Sequence, residues 1–397
     1  MSVHPEKQVR ITGAGQSEVG RPSPRPALAL TQDACRVAIA SAGLTPADID
    51  GLCTYPGLIA NGDGMSPVGS TEAMIALGLQ PTWVGASTEG HAHMGAIVQA
   101  VMAIASGLCK HVLVFRTVAQ AQARAEVSHA GIIGGGRSVA SRSWGGMAWQ
   151  LPYNALSATT LYGLYANAYF RKYGATGEQL GAIAVNSRKM AALNPNAIYR
   201  KPITIDDYMA SRMISDPLRL YDCDTHIDGS TALILSHKDA VADGANTPIR
   251  IEAMGMAVGG FGAGLHEGDF TSMPATRAGD MLWSRTDRTP ADLDFAQIYD
   301  GFSILTLMWM EALRLCAPGE AAAFVEGGTR IGLDGELPLN TSGGQLSAGR
   351  FHGYGHSYEA CLQLWGQGGE RQVAGARTGV VSNGGFGYGC LLLTTED

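Results

Sequence analysis

The hexapeptide Thr45-Pro46-Ala47-Asp48-Ile49-Asp50 returns far downstream as Thr289-Pro290-Ala291-Asp292-Leu293-Asp294. In both copies a β-like run follows, carrying a tyrosine at the same offset, Tyr55 and Tyr299. Each copy also follows a stretch of helical character, near the start of a half of domain size. A six-residue match with a matched flank is a poor accident, so the chain reads as two related α/β halves. The first is expected over residues 1–245 and the second over 246–397.

Working outward from the repeat, the first half opens with a short strand at Val9–Thr12 and an amphipathic helix over Leu28–Ala42, stopped by Gly43. Strands are expected at Ile49–Tyr55, Trp83–Ala86 and His111–Phe115, with a helix from His91 to Ser106 between the last two. Strands alternating with helices predict a mainly parallel sheet with helices on its faces. From about 119 to 221 the pattern breaks into a glycine run (Gly134-Gly135-Gly136) and a tyrosine-rich helix, Thr159–Tyr173, read as an insertion folded over the sheet. Strand character resumes at Thr231–Leu235. The second half then supplies strands at Ile249–Ala253, Phe295–Tyr299, Thr378–Ser382 and Leu391–Thr395, and helices at Ile304–Leu315 and Ser357–Trp365.

Composition narrows the function classes. Hydrophobic residues make up 46% and charged residues 16%, and the formal net charge is −7 with no basic cluster, which argues against nucleic acid as partner. The 53 glycines stand mostly singly or in pairs between apolar runs, as tight turns require. Seven cysteines, an odd number without a CxxC pair, speak against zinc or a disulfide framework and for a reducing cytoplasm. The N-terminal residues lack an apolar signal-peptide core, and no uninterrupted apolar run is long enough to span a membrane.

Several stretches resemble the sterol-carrier-protein type of thiolase and its relatives, the lipid-transfer-protein-like aldolases. They are Asn186-Ser187-Arg188, Asn194-Pro195, Asp216-Pro217-Leu218, Tyr221-Asp222-Cys223-Asp224, Asp228-Gly229, Tyr299-Asp300-Gly301-Phe302-Ser303, Asn340-Thr341-Ser342-Gly343-Gly344 and Asn383-Gly384-Gly385-Phe386-Gly387-Tyr388-Gly389. The resemblance implies a thiolase fold: two related α/β halves in a layered αβαβα arrangement with an inserted loop domain. Working thiolases place a nucleophilic cysteine at a helix start that lowers its pKa. By register that slot is Gly90 here. The thiolase G-H-P motif becomes Gly349-Arg350-Phe351, and Asn383 stands where those enzymes carry a histidine or cysteine. Cys223 and Cys390 belong to strand-like sequence and read as buried small hydrophobes.

A thiolase-fold site without its cysteine can still bind a CoA thioester and polarise its carbonyl, through backbone N–H groups near Gly90 and Gly384-Gly385. The resemblance therefore implies retro-aldol cleavage of a 3-hydroxyacyl-CoA, such as a steroid side-chain thioester, releasing propionyl-CoA or acetyl-CoA. The alternatives are a thiolase-like acyltransferase or condensing enzyme, and a non-catalytic acyl-CoA-binding scaffold subunit. The aldolase relatives use tyrosines. One matches Tyr299, and the other falls on Arg350, with Tyr354 and His352 as nearby substitutes. Tyr299 is either a core tyrosine or a proton-transfer group. His352, Tyr354 and His356 cluster in what reads as a glycine-rich turn before a helix. Asp300 either caps the helix beginning near Ser303 or joins the site. Arg350 is a surface charge or an anchor for an anionic group. His91 and His93, two apart, do not share a helix face, so neither a metal nor any cofactor beyond the CoA substrate is expected. The resemblance further implies a homodimer paired around Trp83–Ala86 and a small OB-fold, zinc-ribbon partner protein.

Overall fold

A computed structural model of the chain describes residues 4–55, 64–86, 94–126, 151–153, 155, 157–244, 246–259, 269–384 and 387–395. Gly90, Gly385, His91, His93 and the 134–136 glycines lie outside them. The strands are β1 (Val9–Gln16), β2 (Gly51–Thr54), β3 (Trp83–Ala86), β4 (His111–Ala119), β5 (Met213–Ser215), β6 (Leu218–Arg219), β7 (Asp228–His237), β8 (Ile249–Val258), β9 (Phe295–Gln297), β10 (Thr378–Asn383) and β11 (Gly387–Thr394).

Nine of these follow one another in the order β3-β2-β4-β7-β1-β8-β11-β10-β9, while β5 and β6 form a separate hairpin. The expected mainly parallel sheet is instead mixed. Only the β2–β3, β2–β4 and β9–β10 pairs are parallel. β7 returns from the insertion to lie antiparallel between β4 and β1, and β11, which follows β10 almost directly, lies antiparallel between β10 and β8. Within the sheet the two halves are joined through two residue pairs of β1 and β8, Arg10 with Arg250 and Ile11 with Ile249.

The repeat is visible in atomic detail. Thr45 and Thr289 each begin a 3-10 turn whose aspartate accepts the threonine backbone N–H at 2.7 Å, Asp48 in one copy and Asp292 in the other. The last aspartate of each copy latches the next strand. Asp50 accepts the backbone N–H groups of Lys110 and His111, and Asp294 those of Arg377 and Thr378, with shortest distances of 2.8 Å in each case. Gly51 then pairs with Val112 as Phe295 pairs with Gly379. The order β2-β4-β7-β1 thus corresponds to β9-β10-β11-β8. A lone parallel bridge from Ala296 to Leu339 stands where the second half would have a counterpart of β3.

Alternation along the strands builds the layers. Leu52, Leu113, Phe115 and Ile234 face an outer core with the helix Ala27–Ser41. Cys53, Val112, Val114 and Leu235 face a central core that also takes Ile251, Val381, Leu391 and Leu393 of the second half, filled by the helices Gly95–Ala105 and Tyr354–Leu364. Val380, Cys390 and Leu392 face the other outer core, with the helices Ala275–Trp283 and Ser303–Ala312. Three helical layers with sheet between them give the αβαβα arrangement. Between β4 and β7 the chain carries the helices Ala158–Tyr173 and Gly177–Ala192, whereas β10 and β11 are joined almost directly.

Candidate active site

The C-terminal ends of β2, β4, β9 and β10 converge, and the turn Gly349–Gly353 comes down onto them. Tyr299 follows β9 and is held from two sides. The Asn340 side chain pairs with both backbone groups of Ile298, accepting its N–H at 2.6 Å and donating to its carbonyl at 2.9 Å. Ser382 Oγ accepts the N–H of Tyr299 itself at 3.0 Å. The Tyr299 side chain is buried. Burial and the nearby charge of Asp224 push its phenol well above the usual tyrosine range, opposed by Arg350 and by the adjacent Gln345 amide. Tyr299 is therefore protonated at neutral pH.

Arg350 does not stand free at the surface. Its guanidinium donates to Asp224 at 3.0 Å and to Gln120 at 2.9 Å. Only 8% of the Asp224 side chain is exposed. Burial pushes its carboxyl up to about 6 against the pull of Arg350. His226 beside it is driven down to about 2 by burial and by the charges of Arg350, Arg124 and Arg21. Arg21 and Arg124 are exposed, so the outer rim of the site is basic.

Asp300 does not cap the helix Ser303–Ala312, whose N-terminus has no side-chain cap. Its fully buried carboxylate accepts the N–H of Gln345 at 2.9 Å, at the π-helical turn Gly344–Ala348, and pairs with His356 Nε2 at 3.0 Å. A side chain on Gly344 would meet that carboxylate at 1.9 Å, which is why glycine stands there. Asp300 and His356 thus brace the wall behind Tyr299.

The expected loop before a helix is shorter than the sequence implied, because the helix already starts at Tyr354. His352, Tyr354 and His356 consequently point to different places. Tyr354 is buried in the central core with Cys53 and Tyr55, its phenol raised by burial, its hydroxyl without a hydrogen-bond partner. His352 is also buried, in the left-handed region at φ 52°, a conformation costing a non-glycine residue roughly 1–2 kcal/mol. Its contacts include Arg116 Nη2 to its Nδ1 at 2.8 Å and Asn383 Nδ2 to its carbonyl at 3.2 Å.

Arg116 and Asp224 are the site residues that inspection of the sequence overlooked. The repeat carries a signal for Arg116. Counting from the matched pair Val112 and Gly379, Arg116 of β4 and Asn383 of β10 occupy the same place in the two halves. Asp224 has no such signal, because its environment comes from Arg350, 126 residues away.

All seven cysteines are free and all lie among the described residues. Burial pushes every one of their thiols up, Cys109 least, to about 11. None meets the conditions of a nucleophilic thiolate. Among the described residues no helix is long and apolar enough to cross a membrane, and no group of three His, Cys, Asp or Glu side chains could hold a metal ion.

Residues 263–390 match the family model Thiolase C-terminal domain-like. The steroid side-chain-cleaving aldolase of Thermomonospora curvata is 33% identical over 88% of this chain and 88% of that protein. The 17-hydroxy-3-oxo-4-pregnene-20-carboxyl-CoA lyase of Mycobacterium tuberculosis is 31% identical over 95% of this chain and 98% of that protein. Among solved structures, the Ltp2-ChsH2(DUF35) aldolase superposes with a TM-score of 0.85 at 30% identity, covering 98% of each chain. With this degree of identity sustained along nearly its whole length, the chain belongs to the thiolase superfamily, in its sterol-carrier-protein-like aldolase branch, and is a carbon–carbon lyase of that fold.

Proposed function

We propose that the chain cleaves the C2–C3 bond of a 3-hydroxyacyl-CoA with a bulky acyl group, a steroid side-chain thioester being the substrate class that its relatives' names point to. The products are a ketone or aldehyde and a short acyl-CoA such as propionyl-CoA or acetyl-CoA. The observation that carries this reading is the set of seven raised thiols, five of them buried and Cys223 and Cys316 half-buried, in a thiolase framework that keeps a charged, tyrosine-lined site. Acyl transfer through cysteine needs a thiolate, and a mere scaffold has no use for a buried Asp224–Arg350 pair beside Tyr299.

In this reading Asp224, largely ionised at pH 7, takes the proton of the 3-hydroxyl. The C2–C3 electron pair moves into the thioester, the C3–O bond becomes a carbonyl, and hydrogen-bond donors of the site hold the enolate oxygen. Tyr299, kept protonated by its surroundings, delivers its proton to C2. Asp224 then returns a proton to Tyr299, and the cycle closes without a cofactor. The basic rim of Arg21 and Arg124 suits the phosphates of CoA. For assembly we extend the reading to a homodimer paired around the edge strand β3, where Val84 is 40% exposed, in a cytoplasmic setting. A small OB-fold, zinc-ribbon partner is supported by the two-component composition of the Ltp2-ChsH2(DUF35) relative.

Incubation with a panel of 3-hydroxyacyl-CoAs, with and without such a partner, and mass spectrometry of the products tests the reading. A ketone and a shortened acyl-CoA, formed equally after iodoacetamide treatment of the folded protein, are expected. Stoichiometric inactivation by iodoacetamide that acyl-CoA prevents would return the chain to acyl transfer through cysteine.

A further inference from the structure

Arg116 is fully buried in β4, yet among the described residues no carboxylate pairs with it. One Nη donates to the Tyr55 carbonyl at 2.6 Å and the other reaches His352 Nδ1 at 2.8 Å, while Nε has no hydrogen-bond partner. Its guanidinium carbon sits 5.2 Å from the centre of the Tyr55 ring. The titratable groups facing it are Tyr55 after β2, Tyr354 on the central helix, Arg350 in the turn and Tyr299 after β9. A guanidinium has donors and no acceptor. The 2.8 Å contact is therefore a hydrogen bond only if His352 Nδ1 carries no proton. Protonating that nitrogen would set N–H against N–H beside a buried cation.

The placement adds a second argument. Arg116 and Asn383 are equivalent positions in the two halves, and both grip the one residue between them, Arg116 by its ring and Asn383 by its carbonyl. This clamp holds His352 in its left-handed backbone conformation. We propose that Arg116 is a positioning residue for the cleavage reaction: it locks the His352 ring with Nδ1 unprotonated, so the ring keeps its single proton on Nε2 and serves as a hydrogen-bond donor, not as a base. The donor role toward the thioester or enolate oxygen rests on the lyase reading above; the locked tautomer does not.

The test reads the tautomer directly, without substrate. The full-length protein is labelled with 15N-histidine, and the His352 signal among the ten histidines is assigned by its loss in His352→Gln. The expected result is a neutral Nε2–H ring whose nitrogen shifts stay constant from pH 6 to 9. A protonated Nδ1 at pH 7, as the other tautomer or as imidazolium, overturns the proposal. In Arg116→Lys, which keeps a cation but cannot reach Tyr55 and His352 with a planar fork, tautomer mixing and titration should appear. With the partner and substrate supplied, kcat should then fall about 30-fold with KM within about threefold. An Arg116→Lys protein whose His352 spectrum matches the wild type would equally overturn it. Should the lyase assay fail on every substrate while the tautomer is as expected, the lyase reading falls and the lock stands.

Discussion

The two copies of the Thr-Pro-Ala-Asp turn and the strands they launch can be compared residue by residue. Where they build the framework they are nearly interchangeable: the same capped turn, the same aspartate latch on the following strand, the same parallel register. Where the strands end at the site they have parted. Tyr55 is covered by the Arg116 guanidinium and offers that cation its carbonyl, while Tyr299 faces Asp224, Arg350 and Gln345. Arg116 brings a buried charge to the position that Asn383 fills with a neutral amide. Duplication supplied a symmetric scaffold, and in the proposed reaction asymmetry between its halves leaves one tyrosine to packing and gives the other to chemistry.

The comparison breaks most sharply at the tyrosines. Tyr299→Phe should lower turnover by about 100-fold or more while costing only about 1 kcal/mol of stability, measured by steady-state kinetics and urea unfolding. Tyr55→Phe keeps the ring under Arg116 and the carbonyl it uses, so turnover should stay within about fivefold. Equal losses in both would erase the assigned difference.

Asp224, which faces Tyr299, sharpens the contrast further. Its carboxyl, raised to about 6, must be ionised to accept a proton, so kcat/KM should fall as pH drops below about 6. Asp224→Asn should lose that acid limb and about 30-fold in rate, because the amide neither takes a proton nor balances Arg350. A wild-type profile flat down to pH 4.5 would remove Asp224 from the mechanism.

The smallest effects belong to the framework. Asp50→Asn and Asp294→Asn should each cost about 1 kcal/mol, and the double variant should cost their sum to within about 0.5 kcal/mol, since the latches are separate. A clear excess over additivity in chemical denaturation would mean that the two latches are coupled through the central core that both halves build.

How much of this was legible beforehand follows the range of the forces involved. The repeat, the strand Trp83–Ala86 and the helix expected from Leu28 are local patterns, and together with the family motifs they carried the fold. Strand direction was not legible, because the antiparallel entry of β7 is decided by pairing across more than a hundred residues. Tyr299, His352 and Asn383 were recognised through motifs. Arg116 lay one residue beyond the expected end of its strand, Phe115, although the register of the repeat pointed to it. For Asp300, His356 and Arg350 the sequence left a cap, a site cluster and a surface charge or anion anchor as readings, and only the folded chain reveals that each is occupied by a partner far away in sequence.

The central claim is that Tyr299, and not its twin, hands a proton to the enolate carbon as the C2–C3 bond breaks. Cleavage in deuterium oxide, with mass spectrometry of the released acyl-CoA, tests it most directly. One deuterium at C2 per turnover is predicted, formed at near-normal rate by Tyr55→Phe and at about 1% of that rate by Tyr299→Phe. An acyl-CoA without solvent deuterium, or a Tyr299→Phe protein that labels it as fast as the wild type, would contradict the account.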